Sequence, residues 1–142
     1  MTTNALDLDN LVSVASNETW TGAPDGMRVG HVHLRVGDID QAERFYRDVI
    51  GLDVMRRRGG ASFMSSGRYH HHVGTNVWHS SGAGQRDEDR AGLAWFALEA
   101  ADGNAFDTVA ARLTQAGAPL RVTPEGLETA DPWGTKVRIA RA

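Results

Sequence analysis

Five of the six histidines in this chain lie in two short stretches. His31 and His33 belong to "GHVHLRVG", and His70, His71 and His72 are consecutive in "RYHHHVGTNVW". Imidazole binds transition metals as a neutral ligand and also exchanges protons near neutral pH. The clustering indicates a metal site, an acid–base site or a wall of structural histidines, and the elements that carry these residues decide which of them meet.

The first histidine stretch has the pattern of a half-buried strand. In "GHVHLRVG" apolar and polar residues alternate strictly. Successive side chains of a strand point to opposite faces, so we expect His31, His33 and Arg35 to share the face that turns away from the helices. On that face the two histidines could serve as general base or acid.

The second histidine stretch predicts a strand on which the three histidines separate. Strict alternation places His70 and His72 on the same face as Asn76 and Trp78, whereas His71 points to the helix side. His72 is therefore the predicted partner of the histidines on the first strand, and His71 is predicted to be structural. A shift of one residue would invert this assignment.

Two strands of the second half add flat and cationic side chains to the same predicted cleft. In "LAWFALEA" and "TKVRIAR" the alternation turns Trp95 and Arg138 inward. With Trp78, the indole of Trp95 supplies flat apolar surface, and a guanidinium can pair with a carboxylate, phenolate or enolate. The pattern favours a planar, oxygen-bearing small molecule, unless Arg138 simply pairs with Glu99 or Glu128.

Around these strands the chain repeats one order of elements. "DIDQAERFYRDVIG" predicts a helix that begins at a capping Asp38 and ends at Gly51, and "NAFDTVAARLTQAG" predicts a second helix. Each helix follows one strand and precedes three, so β-α-β-β-β occurs twice at a spacing of about 65 residues. The predicted fold class is α+β, with two βαβββ modules forming a single cleft-bearing domain. The predicted boundaries are an N-terminal arm (1–27) and one domain (28–142), divided into a first module (28–78), a linker (79–92) and a second module (93–142).

The composition excludes several classes of function. The chain has 142 residues and a net charge of -3, which favours neither nucleic acid nor an anionic membrane as a partner. No apolar run approaches the roughly 20 residues of a membrane span. The chain has no cysteine, which excludes disulfides and thiolate metal sites. We therefore expect a cytoplasmic protein whose partner is a small molecule.

These patterns carry a family resemblance. "GHVHLRVGDIDQAERFYRDVIGLDV" resembles the opening module of the vicinal oxygen chelate superfamily, which includes glyoxalase I, the bleomycin resistance proteins and extradiol dioxygenases. "DPWGTKVRI" resembles its closing strand, and "YHHHVGTNVW" followed by "GLAWFAL" is most similar to the C-terminal module of small catechol 2,3-dioxygenases. The resemblance spans residues 28–141. It implies a glyoxalase/extradiol dioxygenase-like fold, a small-molecule substrate and a homodimer.

The resemblance also implies positions for a metal. Two ligand positions of the superfamily match His31 and His72, but the other two hold Trp95 and Arg138. An indole is not a metal ligand, and a guanidinium is permanently cationic. The comparison therefore predicts a degenerate metal site and no cofactor, with a divalent metal (iron, manganese or zinc) as the alternative.

Three functions fit these residues. The first is an enzyme that acts on an aromatic or oxygenated metabolite, in secondary metabolism, by histidine acid–base chemistry, with His31, His33 and His72 as catalytic residues. The second is a metal-dependent extradiol-type dioxygenase with rearranged ligands. The third is a non-catalytic resistance protein that binds a drug or metabolite. The predicted substrate-binding residues are Trp78, Trp95, Asn76, Arg138 and His70.

Overall fold

The computed structural model describes residues 5–15, 18–87 and 89–141, which form two four-stranded sheets. Sheet 1 consists of β1 (Val32–Arg35), β2 (Asp53–Arg58), β3 (Ala61–Ser65) and β4 (Val73–Asn76). Sheet 2 consists of β5 (Trp95–Glu99), β6 (Arg121–Thr123), β7 (Gly126–Ala130) and β8 (Lys136–Ala140).

The two sheets have the same topology. Their strand orders are β1-β4-β3-β2 and β5-β8-β7-β6. The first and last strands of each module pair in parallel, and the other neighbours are antiparallel. The predicted α+β fold with two βαβββ modules is therefore confirmed.

The described residues also form three helical regions. A short helix, α1 (Leu8–Val14), lies in the N-terminal arm and buries no side chain. Between β1 and β2 the chain forms α2 (Ile39–Glu43), which continues as a π-helical segment (Arg44–Ile50), and α3 (Gly103–Gln115) connects β5 to β6. Within the described ranges, no helix has the length and apolar character needed to cross a membrane.

Local sequence sets where the helices of the two modules begin. The Asp38 carboxylate accepts a hydrogen bond from the backbone N–H of Gln41 at 2.6 Å, and Asp102 accepts one from Ala105 at 2.8 Å. These side chains satisfy N–H groups that the first helical turn leaves without partners. After the π-helical segment, Gly51 adopts a φ of 97°, a left-handed conformation that suits glycine and ends the helix.

One hydrophobic core joins the two modules. It lies between the helices and the sheet faces that the helices cover, so both modules bury their apolar residues in a common interior. Its buried members from both modules include Leu34, Phe45, Ile50, Val73, Phe96, Phe106, Leu113 and Val137.

A buried polar contact also crosses between the modules. The hydroxyl of Tyr46, in the π-helical segment, donates a hydrogen bond to Oδ2 of Asp131 at 2.8 Å. Oδ1 of Asp131 accepts the backbone N–H groups of Trp133 and Thr135 at 3.0 and 2.8 Å. The carboxylate therefore ties the turn before β8 to the helical layer of the first module.

The linker contacts both modules. The backbone N–H of Gly82 donates to the carbonyl of Gly37 at 2.8 Å. The indole of Trp133 donates to the carbonyl of Ala83 at 2.9 Å. The module boundaries inferred from the sequence stay a prediction, but these bonds show that the described linker residues pack against the domain.

The face of each sheet opposite the helices, here called its open face, exposes side chains to solvent along β1 and β5. On β1, His33 and Arg35 are exposed on either side of buried Leu34. On β5, Trp95 is exposed and Phe96 is buried. This burial pattern follows the alternation predicted for these two strands.

Candidate active site

Four imidazoles meet on the open face of sheet 1. The ring centroid of His71 lies 4.4 Å from that of His31, 4.5 Å from His70 and 4.9 Å from His33. His71 is almost fully buried, with 3% of its surface exposed, whereas its three neighbours are exposed. His71 is therefore the centre of this histidine cluster, which we define as His31, His33, His70 and His71.

A bulge before β4 decides which histidine joins the cluster. Val73 is the register partner of Met64 in β3, and the backbone N–H of the preceding residue, His72, also donates to the Met64 carbonyl, at 2.8 Å. His72 and Val73 therefore both lie opposite Met64. This bulge shifts the alternation of side chains along the strand by one position. The predicted orientations of His71 and His72 are therefore wrong: His71 turns to His31 and His72 does not.

His72 occupies a different environment. Its ring stacks on Tyr69 with centroids 4.8 Å apart, and its Nδ1 accepts the backbone N–H of Ser66 at 3.3 Å. Burial, followed by the charge of His70, lowers the pKa of His72. These contacts fix the loop between β3 and β4, and the catalytic and metal-binding roles predicted for His72 stay untested.

Small and aromatic neighbours support the cluster from the sheet. A methyl group at Gly74 would come within 3.1 Å of the His33 ring, so glycine leaves the space that this ring occupies. The Phe63 ring lies 5.1 Å from His71 and 6.1 Å from His33. The rings of His33 and His71 are therefore packed against side chains of the sheet.

One hydrogen bond links two members of the cluster. Nε2 of His33 and Nε2 of His71 are 2.8 Å apart, so one of them carries the proton and the other accepts it. Nδ1 of His71 is buried and has no hydrogen-bond partner among the described residues. If His71 donates through Nε2, its Nδ1 keeps a free lone pair, which is the arrangement found in histidines that bind metals.

The environment keeps the inner histidines neutral. Burial is the main reason that the pKa of His71 falls to about 4, and the charges of His31, His33, His70 and His72 lower it further. Burial and the charge of His31 lower the pKa of His33 as well. Neutral imidazole is the form that binds a metal or accepts a proton.

Three members of the cluster could hold a metal ion. His31, His70 and His71 each offer a ring nitrogen, and the three nitrogens lie within 4.8 Å of one another. Nitrogen ligands at 2.0–2.1 Å from one zinc ion stand roughly 3.4 Å apart. Rotation of the two exposed rings would close this gap, so the residues fit a divalent metal, although they differ from the predicted pair of His31 and His72.

The open face of sheet 2 holds the predicted indole and guanidinium. Cζ of Arg138 lies 4.0 Å from the centroid of the Trp95 ring, and its Nε donates to Glu128 at 2.8 Å. Arg138 thus forms the Glu128 ion pair that the sequence left open as an alternative. Neither Trp95 nor Arg138 provides a metal ligand, as their side-chain types dictate.

The two remaining predicted substrate contacts lie at the other end of β4. The indole of Trp78 donates to the carbonyl of Gly59, at the turn between β2 and β3, at 2.8 Å. Oδ1 of Asn76 accepts the backbone N–H of Trp78 at 3.2 Å, and Asn76 is buried opposite Arg35. Both side chains make local structural bonds, and their contact with a substrate stays a prediction.

The fold and the histidine cluster together define a two-module βαβββ protein with a candidate metal or proton-transfer centre on an open sheet face. Residues 28–139 match the model of the Glyoxalase/Bleomycin resistance protein/Dioxygenase superfamily. The chain belongs to this superfamily, as its sequence resemblance implied.

Among curated proteins, the chain is similar to the catechol-2,3-dioxygenase of Bacillus subtilis (strain 168). The two are 35% identical over 134 residues, which make up 93% of this chain and 47% of that protein. The chain therefore spans about half the length of this relative.

Solved structures agree with the fold. A lactoylglutathione lyase from Agrobacterium tumefaciens is 22% identical, with a TM-score of 0.59 over 84% of this chain and 96% of that one. A glyoxylase/bleomycin resistance protein/dioxygenase domain from Frankia sp. EAN1pec is 24% identical, with a TM-score of 0.60 over 82% of this chain and 98% of that one. At this level of identity the likeness establishes the fold alone.

Proposed function

We propose that this protein is a metal-dependent enzyme of the dioxygenase type that acts on a small aromatic diol, with His31, His70 and His71 as metal ligands. Two observations carry the proposal: these three imidazoles each offer a ring nitrogen within 4.8 Å of the others, and the buried Nδ1 of His71 has no partner among the described residues. A buried polar atom without a partner is costly, and a metal would satisfy it. Bound there, a divalent metal would act as a Lewis acid that orients the oxygens of the substrate.

The other residues of the face have separate tasks in this proposal. His33 holds the His71 ring through the bond between their Nε2 atoms and selects the tautomer with a free Nδ1. Phe63 closes one side of the cluster and keeps water from that side of His71. His31 and His70 are exposed and can move towards a shared ligand point without disturbing the core.

The substrate class is supported by the similarity to a protein named catechol-2,3-dioxygenase. A catechol is planar and carries two adjacent oxygens, which suits an open face lined by rings. The set of three histidines differs from the two-histidine, one-carboxylate set of many iron oxygenases. The proposed set of ligands therefore suits the second function inferred from the sequence, a metal-dependent extradiol-type dioxygenase with rearranged ligands.

A second candidate function is proton transfer without a metal. It is favoured by the 2.8 Å separation of the Nε2 atoms of His33 and His71, which lets one proton be shared between two imidazoles. A neutral His33 at the edge of the pair could take a proton from a bound substrate hydroxyl. This function retains the histidine acid–base chemistry of the first sequence hypothesis, with His71 in place of His72.

Metal content distinguishes these candidates. We expect the purified protein to retain one divalent metal per chain by elemental analysis, and to consume oxygen when a catechol is added. The His71→Ala variant should lose both properties, because it removes the buried ligand. The matched control is His79→Asn, which changes an exposed histidine outside the cluster and should behave as the unmodified protein does.

Three other outcomes would contradict the proposed metal-dependent function. Turnover that persists after removal of metal by a chelator, but fails in His33→Gln, would establish the acid–base function instead. Tight binding of a catechol without any turnover, whether or not metal is present, would indicate a non-catalytic binding protein. Equal metal content in the unmodified protein and His71→Ala would place the ligands elsewhere.

A further inference from the structure

The open face of sheet 2 carries a row of side chains that the proposed function does not use. Ala97, Arg138, Glu128 and Arg121 are register neighbours across β5, β8, β7 and β6. Trp95 lies two residues before Ala97 on the same strand, under the Arg138 guanidinium. We call Trp95, Arg121, Glu128 and Arg138 the guanidinium platform.

A buried carboxylate anchors this platform. The two oxygens of Glu128 accept separate hydrogen bonds, one from Nε of Arg138 and one from Nη2 of Arg121, both at 2.8 Å. Glu128 is 7% exposed. The hydrogen bonds from Arg138 and Arg121 lower the pKa of Glu128, so the carboxylate stays charged and holds both guanidinium groups in place.

The guanidinium of Arg138 is held in place but keeps hydrogen-bond donors available for a ligand. Its Nε is bonded to Glu128 and its Cζ lies 4.0 Å from the Trp95 centroid, whereas Nη1 and Nη2 donate no hydrogen bond to any described residue. Its side chain is 38% exposed. A guanidinium that is already oriented loses little conformational freedom when it binds a further partner, so these two nitrogens form a prepared donor edge.

The surroundings favour an anion with a flat apolar body. Arg121, Arg138 and Lys136 are three cations on this face, and Glu128 lies between two of them. The other carboxylate on this face, Glu99, pairs with Arg28. The Trp95 ring is 45% exposed, so it offers an aromatic surface beside the donor edge. Ala97, the neighbour of Arg138 on β5, has only a methyl group and leaves the approach open.

We propose that the guanidinium platform is a binding site for aromatic carboxylates. The carboxylate of the ligand lies against Nη1 and Nη2 of Arg138, and its ring lies against the exposed part of Trp95. Glu128 is a positioning residue, because it touches the guanidinium rather than the ligand. Binding requires neither a metal nor turnover, so this site goes beyond the proposed function and can be tested without it.

Calorimetric titration of the full chain, treated with a chelator, tests the proposal. The probes are 2-naphthoate and 2-naphthamide, which have the same ring but differ in charge, and inorganic phosphate, which has charge but no ring. We expect 2-naphthoate to bind about tenfold more tightly than the amide, the difference that one charge-assisted pair supplies. Phosphate should bind more weakly than 2-naphthoate.

Two substitutions separate the parts of the site. Arg138→Lys keeps a cation beside Glu128 but loses the two-nitrogen edge, so the affinity for 2-naphthoate should fall to that for the amide. Trp95→Ala should weaken the binding of both naphthalene compounds. Arg90→Gln is the matched control, because Arg90 is also an exposed arginine paired with a carboxylate, Asp87, and should leave all affinities unchanged.

Several results would overturn the proposal. They are no detectable binding of 2-naphthoate, equal binding of acid and amide, phosphate binding as tight as that of 2-naphthoate, or full 2-naphthoate affinity in Arg138→Lys. Thermal melting of each variant shows whether the fold is retained. Because Arg138→Lys preserves the charge next to Glu128, it keeps the test valid even if larger changes unfold the sheet.

Discussion

At the scale of single residues, His71 determines the chemistry of the cluster. It is the buried member, it bonds to His33, and its Nδ1 has no partner in the part of the chain that the structure describes. Burial disfavours protonation of His71, and the charges of His31, His33, His70 and His72 add to this effect. Between about pH 4 and 6.5, a neutral His71 is therefore a property of the folded protein that the unfolded chain lacks.

This property predicts acid sensitivity of the metal-free protein. The pKa of His71 is about 4 in the folded state and 6.5 in the unfolded chain. Between these values the unfolded state binds more protons, so the free energy of unfolding falls as the pH decreases from 6.5 towards 4. Urea unfolding at a series of pH values should show this fall, and His71→Gln should reduce it. His79→Asn should have the same pH dependence as the unmodified protein, and an equal fall in His71→Gln would contradict the assignment to His71.

At the scale of elements, a bulge and a glycine shape the candidate site. The bulge at His72 and Val73 exchanges the faces of His71 and His72. Gly74 then provides the space in which the His33 ring lies against its partner. Strand β4 therefore positions a histidine that it does not itself contain, since His71 precedes its first residue, Val73.

A larger side chain at Gly74 should weaken metal binding. Even a methyl group at this position would come within 3.1 Å of the His33 ring, so valine would displace the ring. His71 would then lose the partner that orients it. We expect Gly74→Val to lower metal affinity by about tenfold, a typical loss when a partner of a metal ligand is removed. The measurement is a competition titration against a chromophoric chelator. The control is Gly103→Ala, at a site with open space, which should leave the metal affinity unchanged. An unchanged metal affinity in Gly74→Val would exclude the role of His33 in orienting His71.

At the scale of the whole molecule, the two modules are held together by a shared core and by a polar bond inside it. Tyr46 and Asp131 come from different modules, and both are buried. Burial is the main cause of the raised pKa of each side chain. The bond therefore contributes to the relative position of the helical layer and the closing strand.

Removal of the Tyr46 hydroxyl should destabilise the protein. Tyr46→Phe leaves an oxygen of buried Asp131 without its partner, which costs about 1–3 kcal/mol in the free energy of unfolding. Urea denaturation of the two proteins measures the difference. Tyr69→Phe removes a hydroxyl from a partly exposed tyrosine and should change stability by less than about 0.5 kcal/mol. Equal stabilities of Tyr46→Phe and the unmodified protein would show that the bond is not needed.

The assembly of the chain stays a prediction, as does its cytoplasmic location. Several apolar side chains of the arm and its surroundings are exposed, including Leu8, Val12, Trp20 and Val29. Exposed apolar surface of this kind is compatible with a homodimer. Sedimentation equilibrium should give a mass of twice 15.4 kDa; a mass of one chain at all concentrations would contradict it.

The sequence by itself determined the fold and most of the elements around the site. The alternation in β1 and β5, the capping Asp38 and the glycine at position 51 act through neighbours along the chain, so their effects can be predicted locally. For the same reason the exposed face of His33 was within reach of sequence reasoning. The choice of Glu128 rather than Glu99 as the partner of Arg138 depends instead on the register of β7 and β8.

Only the tertiary structure decided which histidines meet. Strand alternation favoured His72, but the bulge that selects His71 arises because two residues of one strand pair with Met64 of another, and no local sequence signal marks it. The low pKa of His71 likewise depends on burial and on imidazoles from separate segments. Residue types and spacing thus define the available chemistry, while cross-strand pairing determines which of these side chains share a site.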